Sequence, residues 1–501
     1  MKLIKNIEST RREYHRDARN NTVHRSSLLA PNLPECQVDV SFVNHFLLKR
    51  GYRDVACRVS AFDAEGRRIE SSTFSVDEPR AYAVELGQFA DESAQNFQLE
   101  FFSSSNLFIP FPAAIVNHRN DHFLNSVHSY NRVLNDVFED DSVNSTHVRE
   151  ASIDLRVDEA TDTFAVFTAG PSSCRDNVEV SVRSTARDYC EQVPVDVPRL
   201  GNNIVSLKSL FGDDVPAGGV LTLQQPQQSM FYGRMLAGQR ELANGAFSAN
   251  HSFYDCSGIE EYWDDGSPSE RVYPLFDGFD VRIRLYPIFS PSRLLGAVDF
   301  FGPSGEKLAS VDCDPFESPS KGRLDFSVTD AMKSAGAEEA TSFRYRAWPD
   351  GGNTPKRINH QIVYGDAVRR DALAASVAIS LRNPNAFQPK RSNALVWGQC
   401  AISADLDTRI GIVFDHVDGT EQAATLRFIG EQGEAYEREI TTKTGSAFSV
   451  DPAELVPDLI PDSGERPHYL WYWVTADRND VAAYSVTRHR RSGHCTGEHN
   501  F

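Results

Sequence analysis

Apolar and polar residues alternate with a period of two along much of this chain. Val38, Val40 and Phe42 are separated by polar residues, and the same alternation occurs at Val281-Arg-Ile-Arg-Leu285 and Phe343-Arg-Tyr-Arg-Ala347. This period is typical of half-buried β-strands, and turn residues follow about every 8–12 positions. The pattern predicts short antiparallel strands, because the long helices of a parallel α/β fold have no counterpart in it.

The order of the predicted strands repeats along the chain. A Gly-x-x-Gly turn followed by a Phe-Ser-Val strand occurs at 302–328 and again at 430–450. A histidine with a nearby tyrosine recurs at His128, His251 and His360, at intervals of roughly one small domain. We predict an all-β fold, a tandem array of about four antiparallel β-sandwich repeats with short helical turns and an N-terminal arm. The predicted boundaries are 1–35 for the arm and 36–137, 150–257, 272–366 and 393–501 for the repeats, the last with a His-rich tail.

A short connecting segment with helical character is predicted inside each repeat. Asp330 and Ser449 are the candidate N-cap residues, because apolar residues follow them and their side chains can accept a backbone N–H bond.

Charge narrows the possible partners. The chain has 70 acidic and 51 basic residues, a net charge of −19, which opposes binding to a phosphate backbone. We therefore expect no nucleic-acid partner.

No window approaches the ~18 apolar residues of a membrane helix, so we also expect no membrane insertion. The charged start of the chain does not resemble a signal peptide and the eight cysteines are scattered, which favours a cytoplasmic protein with reduced thiols.

The recurring histidines are candidate metal ligands. If the repeats face a common axis, His128, His251 and His360 would converge with one of the tail histidines His489, His494 and His499. Imidazole is a common ligand of divalent transition metals. We predict His128, His251, His360 and His494 as the metal set, and the alternative is that each histidine binds a backbone carbonyl within its own repeat.

Aromatic residues are candidate ligand-binding groups. Trp263 lies in an acidic linker and Trp348 beside a Gly-rich turn, where flat apolar rings with polar edges suit a carbohydrate. Tyr254 and Tyr364, which follow two of the recurring histidines, complete the predicted ligand-binding set.

The sequence contains none of the better-defined signatures of zinc proteases, serine hydrolases or nucleotide-binding enzymes. The array favours a non-enzymatic binding or scaffold protein with a protein or carbohydrate ligand, in a bacterial glycan context suggested by the sandwich class and the aromatics. One alternative is a metal-dependent enzyme or metalloprotein that uses the repeated histidines. Another is a self-assembling structural protein that forms homo-oligomers.

Overall fold

The computed structural model describes most of the chain. The described residues are 25–90, 93–103, 112–128, 131–132, 149–153, 155–170, 173–216, 218–224, 232–233, 235–254, 261–286, 292–316, 323–459 and 466–501. Within them, strands form four successive two-sheet units, and all the sheets are antiparallel. The predicted all-β tandem array of sandwich units is confirmed.

The first unit has two four-stranded sheets. Its strands are β1 (Arg25–Pro31), β2 (Gln37–Val43), β3 (Val55–Phe62), β4 (Arg68–Ser75), β5 (Ala81–Glu85), β6 (Asn96–Ser103), β7 (Ile115–Asn120) and β8 (Phe123–His128), with helix α1 (His45–Arg50) after β2. The sheet orders are β1-β6-β3-β4 and β5-β2-β7-β8. Strand β1 falls in the segment expected to be an arm, but Leu28 and Ala30 enter the core of this unit because β1 pairs with β6.

The second unit has one five-stranded and one four-stranded sheet. Its strands are β10 (Arg149–Ser152), β11 (Thr161–Thr168), β12 (Cys174–Arg183), β13 (Tyr189–Val197), β14 (Asn202–Ser206), β15 (Val220–Gln224), β17 (Leu236–Glu241), β18 (Phe247–His251) and β19 (Phe253–Tyr254). The orders are β13-β12-β15-β10-β19 and β14-β11-β17-β18. A small ladder joins β9 (Asn131–Arg132) to β16 (Tyr232–Gly233).

The third unit returns to two four-stranded sheets. Its strands are β20 (Ser269–Pro274), β21 (Phe279–Leu285), β22 (Leu294–Phe301), β23 (Lys307–Phe316), β24 (Leu324–Ser327), β25 (Ser342–Pro349), β26 (Asn359–Asp366) and β27 (Ala375–Ser380). The orders are β20-β25-β22-β23 and β24-β21-β26-β27, which match the first unit strand for strand.

The fourth unit has the same topology. Its strands are β28 (Arg391–Ile402), β29 (Leu406–Phe414), β30 (Glu421–Ile429), β31 (Ala435–Lys443), β32 (Phe448–Val450), β33 (His468–Arg478), β34 (Val481–His489) and β35 (Cys495–His499). The orders are β28-β33-β30-β31 and β32-β29-β34-β35.

A short helical segment follows the fifth strand of every unit. These segments are the 3₁₀ turn Leu86–Phe89 and the helices α2 (Leu207–Phe211), α3 (Val328–Ser334) and α4 (Pro452–Leu455). Two further 3₁₀ turns span Gly212–Asp214 and Pro457–Leu459. The two predicted N-caps are wrong: the Ser327 hydroxyl caps α3 by accepting the Asp330 N–H, and Asp451 caps α4. Ser449 lies within β32.

The last strands of the four units contact one another in a closed cycle. Strand β8 contacts β18, β18 contacts β27, β27 contacts β35, and β35 contacts β8. Side chains make many of these connections: Asn125 Oδ1 accepts the Ala249 N–H at 2.8 Å, and Asn250 Nδ2 donates to the Ser376 carbonyl at 2.6 Å. Thr496 Oγ1 accepts the Ser126 N–H at 2.8 Å and closes the cycle. The fourth unit therefore returns to the first.

None of the helices in the described part of the chain is long and apolar enough to cross a membrane.

Candidate functional site

Three metal-ligating side chains meet where the fourth unit contacts the first. His128 is the last residue of β8, and Glu498 and His499 are the last two residues of β35. One possible donor atom from each of these three side chains lies within 4.8 Å of the other two. We call His128, Glu498 and His499 the closing cluster, because they lie where the cycle of units closes.

Glu498 connects the two units of the closing cluster. Its Oε1 accepts the backbone N–H of His128 at 2.8 Å, and its Oε2 lies 2.9 Å from His128 Nδ1. The Glu498 side chain is 7% exposed and that of His128 is 16% exposed. The cluster is thus largely enclosed, with the His128 side accessible to solvent.

The ring of His499 has a defined tautomer. Its Nδ1 lies 2.8 Å from the Asn500 carbonyl, which can only accept, so Nδ1 carries the proton and Nε2 carries the lone pair. Burial is the largest cause that lowers the pKa of His499, to about 4. The imidazole is therefore neutral near pH 7.

His251 is adjacent to the closing cluster. It ends β18, and its ring packs edge-on against His128 with centroids 4.4 Å apart. Its Nδ1 lies 3.0 Å from the Ser252 carbonyl, so this nitrogen is also the protonated one. Two of the predicted ligands, His128 and His251, thus come together where β8 contacts β18.

His360 lies apart from the cluster, in the core of the third unit. It is 1% exposed, and its Nε2 makes a short hydrogen bond with the Tyr273 hydroxyl. Burial is the main cause that lowers the pKa of His360 to about 3. It is the second residue of the seventh strand of its unit, whereas His128 and His251 end the eighth strands of theirs, so the interval in sequence did not mark equivalent positions.

His494 occupies a junction of three units. Its Nδ1 accepts the Leu373 N–H at 3.0 Å, and its Nε2 lies 3.3 Å from Glu241 Oε2. Burial lowers the pKa of His494, and Glu241 opposes that shift. Each ring nitrogen of His494 contacts a residue of a neighbouring unit, so His494 has a packing role in the structure.

The two predicted surface tryptophans lie on the third unit. Trp263 is half-buried beside Phe387, with ring centroids 6.2 Å apart, and the Lys356 ammonium lies over its ring. Phe387 is 52% exposed, so the pair presents an aromatic surface. Trp348 is half-buried on β25, with the Arg346 guanidinium over its ring.

Neither of the two predicted tyrosines has an exposed ring among the described side chains. Tyr364 is fully buried in the core of the third unit, where its hydroxyl donates to the Pro274 carbonyl at 3.0 Å. A ring without exposed surface does not contact a ligand in this conformation. The backbone of Tyr254 pairs with Glu150 at the end of β19, and its side chain lies outside the described residues.

A cleft of about 1570 Å³ lies among the first, second and fourth units. The first unit contributes residues 32–37 and 119–124, the second contributes Asn202 and Ile204, and the fourth contributes 402–406 and 489–491. At its wall Arg491 pairs with Asp405 at 2.8 Å. The Arg491 side chain is 68% exposed and that of Asp405 is 50% exposed. The cleft is mixed in polarity and large enough for an extended segment of a macromolecule.

A serine–histidine contact stands beside this cleft. Ser492 Oγ lies 3.0 Å from His489 Nδ1, but it also lies 2.6 Å from the His122 carbonyl. The carbonyl can only accept, so the hydroxyl proton is directed to it and not to His489. The contact therefore closes a turn and does not form an activated nucleophile.

In the sequence His499 is one of three tail candidates and Glu498 precedes it, but neither residue belongs to the predicted metal set. The signal that identifies His499 is its place in the strand order, because His128, His251 and His499 all end the eighth strand of a unit's topology. The signal for Glu498 is the tail cluster His494-Cys-Thr-Gly-Glu-His499, which places a carboxylate among potential ligands, although its spacing matches no defined zinc motif.

Comparisons with known proteins add little. No protein-family model matches the chain, and no curated protein matches it by sequence. A crystal structure of the chicken CNTN1 FN1-FN3 domains matches with 9% identity, over 69% of this chain and 95% of that one, at a TM-score of 0.11. At that TM-score the match supports no argument, and the fold assignment rests on the strand pairing described above.

Proposed function

We propose that this chain is a non-enzymatic binding protein whose four units form a scaffold for one composite cleft. The observation that carries the proposal is the 1570 Å³ cleft, because three of the four units each supply part of its wall. Tandem sandwich units joined by a closed cycle of contacts hold such a surface in a fixed shape. A preformed surface favours binding because little ordering entropy is lost when the ligand binds.

The ligand we propose is a polypeptide segment of a protein partner. The cleft combines apolar side chains such as Leu33 and Ile204 with charged side chains such as Arg491 and Asp405, a mixture that suits a peptide. The aromatic surface of Trp263 and Phe387, which suits a carbohydrate better, belongs to the third unit and does not line this cleft. A cytoplasmic location is part of the proposal and is supported by the scattered cysteines, several of which are buried.

The cleft is tested with two probes, a random-peptide display library and an oligosaccharide array. Arg491→Glu reverses a charge on the cleft wall and should weaken selected peptides about tenfold, which is about 1.4 kcal/mol. Arg175→Glu is the matched control, since Arg175 also pairs with an aspartate, at 2.8 Å, but lies on β12 outside the cleft.

Peptides that bind the wild type and Arg491→Glu equally would place their site outside the cleft. Oligosaccharides that bind in place of peptides would support the carbohydrate alternative, and Trp263→Ala would then show whether the third unit binds them.

A further inference from the structure

The closing cluster has a buried carboxylate whose described ion-pair partner is a histidine. Other buried carboxylates of this chain face arginines: Asp39 pairs with Arg119, and Asp299 with Arg344. Glu498 instead pairs with His128 and lies next to His499. A buried carboxylate needs a compensating cation, and an imidazole supplies a full charge only when it is protonated. A divalent cation would compensate Glu498 without requiring any protonated ring.

The donor set suits a transition metal. Two imidazoles and one carboxylate are ligands that Zn²⁺ accepts, at about 2.0–2.2 Å from each donor atom. Ligand atoms around such an ion are about 3.3 Å apart, so donors that already lie within 4.8 Å of one another need side-chain rotation only. The ring of His251, 4.4 Å from that of His128, is near enough to supply a fourth ligand or to line the open position.

The ring of His499 is also oriented as metal ligands usually are. Its Nδ1 donates to the Asn500 carbonyl, so the lone pair is on Nε2. A backbone carbonyl that fixes the tautomer of a ligating histidine is a common feature of the shell around a metal site. The partial exposure of His128 gives an ion a route to the cluster.

We propose that His128, Glu498 and His499 bind one divalent transition metal ion, and that the ion fastens the fourth unit to the first. His128 belongs to the first unit, and Glu498 and His499 lie at the end of the last strand. A ligand that binds across this contact stabilises the closed cycle of units relative to an open one. The proposal does not depend on the function of the cleft.

The test uses the untagged 501-residue chain, with Zn²⁺ as the probe. After removal of metals with a chelator, titration calorimetry and elemental analysis should find about one Zn²⁺ per chain, and the melting temperature should rise with Zn²⁺ concentration. Co²⁺ in place of Zn²⁺ should give visible absorption bands, which report ligation by imidazole and carboxylate.

Two variants remove ligands, and a third is the control. Glu498→Gln and His499→Gln should each raise the Kd for Zn²⁺ at least about tenfold and abolish the Co²⁺ bands. His416→Asn, which removes a half-buried histidine of the same unit outside the cluster, should bind as the wild type does. Circular dichroism and gel filtration show whether each variant folds, and two ligand variants keep the test valid if one does not.

Three results would overturn the proposal. One is a wild type that takes up no stoichiometric Zn²⁺ at micromolar concentrations. Another is Zn²⁺ that stays bound with unchanged affinity in both ligand variants, which would place the ion elsewhere. The third is Zn²⁺ binding without any rise in melting temperature, because an ion that joins the two units must stabilise their contact. In the first case the cluster is a hydrogen-bonded network that holds the units without metal.

Discussion

His118 and His360 are fully enclosed, and the Nε2 atom of each faces a polar partner. His118 lies 3.0 Å from the Pro31 carbonyl and packs against Phe247, and His360 faces the Tyr273 hydroxyl. Burial lowers the pKa of His118 to about 4 and that of His360 to about 3. At the scale of single residues, enclosure makes these histidines neutral structural groups.

The buried histidines predict a loss of stability in acid. An unfolded histidine takes up a proton below pH 6.5, whereas the folded ones stay neutral until pH 4 or lower. The unfolded state therefore binds more protons between those values. We expect the free energy of unfolding to fall by about 1.4 kcal/mol per pH unit for each of the two, as the pH drops below 6.5.

Urea denaturation at a series of pH values between 7 and 4.5 measures this slope. His118→Gln keeps a side chain able to donate to the Pro31 carbonyl but cannot be protonated, so it should flatten the slope by about one proton. A slope that does not change in the variant would mean that His118 is protonated in the folded chain as well.

Strand β33 shows how an element can be buried on both faces. Its alternation places Trp471 and Tyr472 on opposite sides of the sheet, and both are completely buried. Tyr472 enters the core of the fourth unit, whereas Trp471 joins the core of the first. The Trp471 Nε1–H donates to Ser41 Oγ at 2.6 Å across this contact. The face of β33 that would be exposed in an isolated sandwich is thus an interface.

Trp471→Phe tests how much this interface contributes to the free energy of unfolding. The change removes the bond to Ser41 and part of the buried ring, and should lower the free energy of unfolding by about 1–3 kcal/mol. Trp473→Phe is the control, because Trp473 is only half-buried on the same strand and should cost less than about 1 kcal/mol. Equal losses in urea denaturation would show that burial of β33 against the first unit contributes little.

At the scale of the whole molecule, the apolar cores extend across the boundaries between units. The core of the first unit includes Trp397 and Ile429 of the fourth and Phe247 of the second. The core of the third unit includes Tyr484 and Val486 of the fourth. The second unit also has an apolar cluster of its own. We infer that the first unit is coupled in stability to the second and the fourth, and that the third is coupled to the fourth.

This coupling predicts a response at a distance. Val40→Ala in the first core should lower stability by about 2 kcal/mol and also increase amide hydrogen exchange in the fourth unit's β28 and β33, which supply Trp397 and Trp471 to that core. Val180→Ala creates an equivalent cavity in the separate cluster of the second unit and should leave hydrogen exchange in β28 and β33 unchanged. Hydrogen exchange confined to the first unit in the Val40 variant would contradict the coupling.

The sequence by itself determined the strands, their antiparallel class and the repetition of about four units, because alternation and turn residues act over short distances along the chain. The sequence also predicts His128 and His251 as a pair, and the structure places their rings side by side at the ends of equivalent strands. Only the tertiary structure decided that the units close into a cycle, because contacts between units depend on sheet faces whose outer residues look alike in sequence. The same contacts bring Glu498 and His499 to His128, whereas the core of the third unit encloses Tyr364 and His360. Spacing along the chain does not specify which residue of a strand lies at a contact between units. Packing between the units decides it.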